Sequence, residues 1–299
     1  YIDIVGPTLL RAAAKNFSNV TVITDKNDYY ALENELKKYG GKTSLKFRQK
    51  MAAKAFGLTA YYDSVVVDWF NRKLNIKFPE VKTIFGKKIN KLRYGENPHQ
   101  NSSIYISDLY DDNLNLKNLN GKELSYNNYN DIFSALNILF SNNKLPTTVI
   151  IKHANPCGVA SNKLPLKSFQ ECKMSDPISA FGGIVACNFK ISNKIANEIG
   201  KTFFEVIMGK GFDNSALKIL KKKKNMRIID ISNFENQNKT SIRFFGKSFL
   251  LQDENKMILN KKKLKFVSKI KPTSKELKDI EFAFKVCKFV KSNAIVIAK

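Results

Sequence analysis

The sequence predicts an α/β protein built in two segments, and three observations carry that expectation. Short apolar or β-branched runs of strand length recur at residues 20–24, 148–151, 183–187, 204–208 and 227–231. Other stretches repeat their apolar residues at helical spacing, as in Leu277, Ile280, Phe284, Cys287 and Val290. From about residue 78 to residue 90 the periodicity fades and lysine accumulates, which marks a linker. An apolar content of 43% fits a globular chain. No run reaches the ~18 apolar residues of a membrane span, so a membrane is not an expected partner.

The first segment, residues 1–80, reads as helix, strand, helix, helix. Ala and Leu in Leu9-Leu10-Arg11-Ala12-Ala13-Ala14-Lys15 favour a helix entered through Gly6-Pro7-Thr8. Val20-Thr21-Val22-Ile23-Thr24 is β-branched throughout and reads as a strand ended by Asp25. Residues 28–39 read as a helix stopped by Gly40-Gly41. Residues 44–73 read as mostly helical, with a break at Gly57.

Residues 81–90 form the expected linker, and residues 91–299 the second segment. Thr148-Val149-Ile150-Ile151 reads as a strand that delivers Lys152-His153 into a Pro/Gly loop. The loop Asp176-Pro177-Ile178-Ser179-Ala180-Phe181-Gly182 leads into the strand at 183–187. Leu277 to Val290 reads as an amphipathic helix, and Asn293-Ala294-Ile295-Val296-Ile297 as a further strand. Residues 232–262 are polar and rich in Asn and Lys, and no element is legible there.

A formal charge of +25 raises the question of nucleic acid. Only six of the 51 basic residues are Arg, however, and the lysines are scattered, with Lys221 to Lys224 their longest cluster. Readers of base edges favour bidentate Arg. The charge therefore reads as a solvated surface whose positive field also favours small anionic substrates, and nucleic acid is not an expected partner. Cys157, Cys172, Cys187 and Cys287 form no C-x-x-C pair and no disulfide framework, which suits a reducing, cytoplasmic setting. No signal peptide is visible. The chain starts at Tyr1 without Met and stops at Lys299 just after an apolar run, so it is expected to be an internal piece of a longer protein.

Histidine is scarce and well placed. The two, His99 and His153, both lie among Gly, Pro and Asn rather than in a periodic, core-like stretch. Lys152-His153 at a strand end sets two titratable groups where a sheet meets a loop, a common place for sites in α/β proteins. A neutral imidazole can take a proton from a nucleophile, and an ammonium can stabilise negative charge or protonate a leaving group. From these residues alone, a site and a structural turn beside a solvated Lys are equally good readings. Arg93-Tyr94-Gly95 offers a guanidinium, a phenol and flexible backbone, suited to phosphate or carboxylate, or simply a turn. The segment from Leu124 to Asp131 carries amides and a carboxylate at a helix start, for capping or for binding. Phe181-Gly182-Gly183 joins a ring to close-approach glycines, as a ligand wall or as a tight loop.

Zinc deaminase chemistry, the rival enzyme class, fits the residues poorly, and metal analysis is its test. His153-Ala154-Asn155-Pro156-Cys157 has Asn where the proton-shuttling Glu belongs, and the position three beyond Cys157 is Ala160 rather than a second thiolate. No zinc site is expected. No phosphate-binding Walker loop, H-E-x-x-H helix or G-x-S-x-G elbow occurs.

Several motifs in series resemble one family. Asp3-Ile4-Val5-Gly6-Pro7-Thr8 running into Leu9 to Asn16 resembles the end of the IMP cyclohydrolase domain of the bifunctional purine biosynthesis family PurH. Arg93-Tyr94-Gly95-Glu96-Asn97-Pro98-His99-Gln100 resembles the opening of its AICAR transformylase domain. Further matches are Leu119 to Asn128, Ile151 to Gly158, Asp176 to Gly183 and Ser292-Asn293-Ala294, all in family order. The resemblance implies the C-terminal part of a methylglyoxal-synthase-like domain followed by a truncated, cytidine-deaminase-like AICAR transformylase region. It also implies that the family's cyclohydrolase start and transformylase end lie outside this chain.

The implied activities are phosphoribosylaminoimidazolecarboxamide formyltransferase and IMP cyclohydrolase. The family transfers a formyl group from the co-substrate 10-formyltetrahydrofolate to the 5-amino group of AICAR, and closes the product FAICAR to IMP. By resemblance His153 is the base, and Lys152 stabilises charge or assists the folate nitrogen's departure. Arg93 and Tyr94 match nucleotide-binding positions. Asn128, Phe181, Gly182, Glu205 and Asn293 match positions lining the nucleotide and folate sites, with Glu205 standing where some relatives carry Asp. Asp3 and Lys15 match cyclohydrolase positions, and Val5 stands where the family usually has Gly. A homodimer is implied, and His99 receives no specific role. The alternatives are a zinc-free deaminase-fold nucleotide binder without activity and a basic nucleic-acid-binding module.

Overall fold

A computed structural model describes residues 1–107, 114–142, 144–235, 240–257 and 259–299. The chain divides into two units, each with its own core. The first comprises Tyr1–Ile89 and the described part of Tyr105–Asp112.

In that unit α1 (Val5–Lys15), α2 (Tyr29–Lys38) and α3 (Leu45–Lys73) follow one another, with a 3-10 turn at Lys26–Asp28. Ala14 of α1 packs with Ala52 and Ala55 of α3 and with Val22, small side chains that let the two helices approach closely. Arg48 on α3 donates from Nε to the Phe17 carbonyl at 2.9 Å and from Nη2 to that of Ser18 at 2.8 Å, fixing the chain as it leaves α1. Ser44 caps α3, its Oγ accepting the Phe47 N–H at 3.2 Å.

Two expectations fail in this unit. α3 runs through Gly57 without a break. A Cβ there would meet nothing within 4 Å, and the helix-forming neighbours outweigh one glycine. Residues 20–24 form no strand in the described structure. Val22 is buried and the Thr21 hydroxyl meets that of Thr43 at 2.7 Å. β-branched residues favour extended backbone, but a strand also needs a ladder partner, and no described segment supplies one.

β1 (Lys87–Leu92) begins within the expected linker and pairs with β2 (Ser102–Ile106). The second unit comprises Asn90–Ile104 and the described part of Asn113–Lys299. Its chain order is β3 (Lys117–Asn120), α4 (Tyr126–Ser141), β4 (Thr147–Lys152), β5 (Asn155–Ser161), α5 (Pro165–Ser175), β6 (Ile184–Cys187) and α6 (Asn193–Gly200). Then come β7 (Val206–Gly209), α7 (Asn214–Leu220), β8 (Arg227–Asp230), β9 (Thr240–Phe245), β10 (Ser248–Asp253) and α8 (Ser274–Cys287).

Six strands form one mixed sheet in the order β3-β8-β7-β6-β4-β5. β6, β7 and β8 are mutually parallel, joined through α6 and α7, whereas β4 is antiparallel to both β5 and β6. Side chains alternate across the sheet and both faces are apolar. Ile150, Val185, Cys187, Ile207 and Ile228 pack with α5, α6 and α7, including Phe169, Ile195, Ile199 and Leu220. Val149, Ile151, Ile184, Ala186, Val206, Met208 and Ile229 pack with Ile132, Leu136 and Leu139 of α4. Burial on both faces is why these strands read as continuous apolar runs rather than alternating ones. Burial also pushes the Cys187 thiol up to about 12, which suits a packing role and not a reactive one.

Two further differences from the sequence reading fall here. β9 and β10 form an antiparallel hairpin in the stretch where no element was legible. Its residues are mostly exposed, so no buried face imposes alternation on the sequence. Residues 293–297 form no strand, and Ile295 and Ile297 are exposed beyond α8 without a described ladder partner. None of the described helices is long and apolar enough to cross a membrane.

Candidate active site

Strand directions assemble the site. β4 runs against β6, pairing Ile151 with Ile184, and Ile184 pairs with Val206 and Val206 with Arg227 along the parallel strands. The C-terminal end of β4 therefore lies beside the N-terminal ends of β6, β7 and β8. This places Lys152-His153 on the same sheet edge as Gly182-Gly183, Glu205 and Arg227, together with the first turns of α4.

The turn from β4 to β5 has an unusual composition. Lys152 pairs with Asn155, leaving His153 and Ala154 as the two turn residues. Both have positive φ, 54° and 57°, as primed hairpin turns require. Such turns favour Asn-Gly, because a side chain in this region costs about 1–2 kcal/mol per residue. Asp131 on α4 meets both: its Oδ2 accepts the His153 N–H at 3.3 Å and its Oδ1 the Ala154 N–H at 2.7 Å. Partial burial holds the Asp131 pKa above the usual carboxylate value, and the two backbone donors offset only part of that rise. The register shifts between the Ile150–Gly158 and Ile151–Pro156 pairs, which leaves Cys157 of β5 as the extra residue just after the turn.

α4 supplies the neighbouring groups. Ser125 caps it: the Ser125 Oγ accepts the Asn128 N–H at 3.2 Å, and the Asn128 Oδ1 accepts the Ser125 N–H at 3.1 Å. Asn128 Nδ2 then donates to Glu205 Oε2 at 3.0 Å. Asn128 is thus 5% exposed and orients Glu205. Asp131 lies three residues further on the same helix face. Arg227 Nη1 stands 4.0 Å from Glu205 Oε2, and its Nε donates to the Glu123 carbonyl at 3.3 Å.

Lys152 reaches the opposite wall. Its Nζ donates to the Phe181 carbonyl at 2.9 Å. The Phe181 and Phe203 rings lie 5.6 Å apart, both exposed. Gly182 has φ 75°, and its N–H donates to the Phe203 carbonyl at 2.9 Å. A Cβ on Gly183 would stand 2.9 Å from the Ile151 carbonyl oxygen. Only glycine allows this loop to lie against the end of β4.

The Arg93-Tyr94 loop is tied to the same helix start. Asn127 Nδ2 donates to the Glu96 carbonyl at 3.2 Å. The Gly95 N–H donates to the Gln100 carbonyl at 2.6 Å, and Ser102 Oγ donates to the Tyr94 carbonyl at 2.6 Å. The exposed Arg93 guanidinium lies 5.3 Å from the Tyr94 ring centre. His99 is exposed on this loop.

Of the residues singled out from sequence, the structure therefore gathers Lys152, His153, Asn128, Phe181, Gly182 and Glu205, with the Arg93-Tyr94 loop bound to α4 nearby. Asn293 stands exposed beyond α8, and no described hydrogen bond joins it to this group. Asp3 and Lys15 belong to the other unit and lie at opposite ends of α1, an 11-residue helix that spans roughly 16 Å. Asp3 Oδ1 accepts the Gly6 N–H at 3.1 Å, and its own N–H donates to Tyr62 Oη at 2.7 Å. Sequence reasoning met the Asp131 carboxylate only as part of the Leu124–Asp131 segment, without a role of its own, and passed over Arg227 as a site residue. The signal for Asp131 was its i+3 spacing from Asn128; Arg227 had none.

Comparisons with known proteins identify the family. The family model described as AICARFT/IMPCHase bienzyme matches residues 13–299. The bifunctional purine biosynthesis protein PurH of Thermoanaerobacter sp. (strain X514) is 43% identical over 299 residues, covering 100% of this chain and 58% of that protein. PurH of Persephonella marina (strain DSM 14350 / EX-H1) is 44% identical over 305 residues, covering 100% of this chain and 58% of its own length. PurH of Aquifex aeolicus (strain VF5) is 42% identical over 301 residues with the same coverage, 100% and 58%. The chain thus spans under three fifths of the length of these relatives. On the match over residues 13–299, the chain belongs to the AICARFT/IMPCHase bienzyme family.

Proposed function

We propose that this chain carries the core of an AICAR formyl-transfer site and part of an IMP cyclohydrolase, acting in de novo purine biosynthesis. One observation carries the reading: the Lys152-His153 pair, held at the end of β4 between the Asp131 carboxylate and the Phe181 carbonyl. In finer terms, residues 1–80 are the C-terminal part of a methylglyoxal-synthase-like domain. Residues 81–90 are a linker, and residues 91–299 belong to a cytidine-deaminase-like transformylase region.

The chemistry follows from what these groups do best. The AICAR amine is conjugated to a carboxamide-bearing imidazole and is a weak nucleophile, so removing its proton as it attacks lowers the barrier. The His153 imidazole takes that proton while a C–N bond forms to the formyl carbon. The bond from the formyl carbon to the folate nitrogen then breaks. Lys152 stabilises the negative charge on the formyl oxygen or supplies a proton to the departing nitrogen. Arg93 and Tyr94 hold the nucleotide. Asn128, Phe181, Gly182, Glu205 and Asn293 line the nucleotide and folate sites, Asn128 through its hold on Glu205. Asp3 and Lys15 serve ring closure of FAICAR to IMP in the other unit. The enzyme is a cytoplasmic homodimer.

The test is an assay of the full-length protein with AICAR and 10-formyltetrahydrofolate, followed through tetrahydrofolate release. Release that depends on both substrates is expected. Its absence under conditions where the protein still cyclises supplied FAICAR contradicts the reading.

A further inference from the structure

We propose that Asp131 is a positioning residue for the Lys152-His153 pair, a role that rests on the formyl-transfer reading above. Two observations support it. His153 and Ala154 are consecutive residues with side chains, yet both occupy the left-handed region, with φ 54° and 57°, where glycine is the usual occupant. Both of their N–H groups converge on the two oxygens of one carboxylate, at 3.3 and 2.7 Å. Charge-assisted bonds of this kind are the stronger ones, and here they act on the backbone of the catalytic histidine itself.

The carboxylate has a rigid mount. Asp131 is adjacent to Ile132, which with Leu136 and Leu139 is buried against the sheet, so the position of α4 is set by the core. The direction in which the imidazole leaves the backbone depends on φ at His153. Lys152, meanwhile, is tethered across the site to the Phe181 carbonyl. Asp131 therefore fixes the angle between the two side chains on which formyl transfer depends, and it does so without touching substrate.

The experiment uses the full-length protein. Asp131→Asn keeps the shape but turns an amide donor towards a backbone donor, so at most one of the two bonds survives. The expected result is a fall in formyl-transfer kcat on the order of 100-fold, with the KM for AICAR nearly unchanged and cyclisation of supplied FAICAR retained. Adding Ala154→Gly removes the side chain that makes the turn costly, and should recover a substantial part of the lost kcat. Asp131→Ser, which withdraws one acceptor without burying an extra amide, is the second variant if Asp131→Asn does not fold. An unchanged kcat, a loss confined to KM, or no recovery on adding Ala154→Gly overturns the proposal. The parallel Lys152→Ala and His153→Ala variants separate the two ideas. If they too retain formyl transfer, the functional reading has failed; if they lose it while Asp131→Asn does not, only the positioning role has failed.

Discussion

Replacing His153 by alanine in the full-length protein is expected to slow formyl transfer by roughly 10³-fold, the middle of the range for losing a general base. IMP formation from supplied FAICAR should persist, because Asp3 and Lys15 belong to a different unit from β4. Lys152→Ala should be comparably damaging for two reasons. It removes the ammonium, and it frees the Phe181 carbonyl that the ammonium now holds at 2.9 Å. Residues that act as a unit are not additive, so the double variant should be scarcely worse than either single one. Tetrahydrofolate release at near-parental rate by both single variants would sink the assignment.

Gly158→Ala should be the most damaging single methyl addition near the site. Gly158 is buried in β5, opposite Ile150 of β4. A Cβ there would stand 2.1 Å from the backbone oxygen of Cys172 on α5. Backbone cannot rotate away as a side chain can, so α5 must lift from the sheet and disturb the packing of Phe169 and Cys172. Overpacking of this kind costs about 3 kcal/mol. The measurement is the urea midpoint, which should fall with little change in the slope of the transition. A midpoint equal to that of the parent would show that the α5–β5 approach is looser than the geometry indicates.

The sequence disclosed those parts of the fold that the core dictates. β4, β6, β7 and β8 are buried on both faces, and their apolar runs were legible as strands. α8 was legible from the helical spacing of its apolar residues, although Val286 is its one buried residue and Ile280 is exposed. What the core does not dictate was missed. The β9–β10 hairpin has little buried face to pattern it, and the β-branched run at 20–24 has composition without a described partner. Gly57 was overrated as a breaker because propensity counts one residue, whereas a 29-residue helix averages over many.

The site divides along similar lines. Lys152 and His153 stood out because scarce side chains sat in a turn-rich loop. The arrangement around them did not, because it depends on pairs far apart in sequence. Asp131 meets His153 only because α4 crosses the end of β4. Asn128 meets Glu205 only because β7 begins beside the first turn of that helix. The residue types were readable, but their convergence is a property of sheet order and helix placement.

Base catalysis by His153 requires its imidazole to face the reacting amine. A crystal structure of the full-length protein with AICAR bound tests it most directly. The 5-amino nitrogen is expected within about 3 Å of an imidazole nitrogen of His153, with the nucleotide phosphate towards Arg93 and Tyr94. AICAR bound with its amine out of reach of His153, in a complex that still turns over when folate is added, would contradict it.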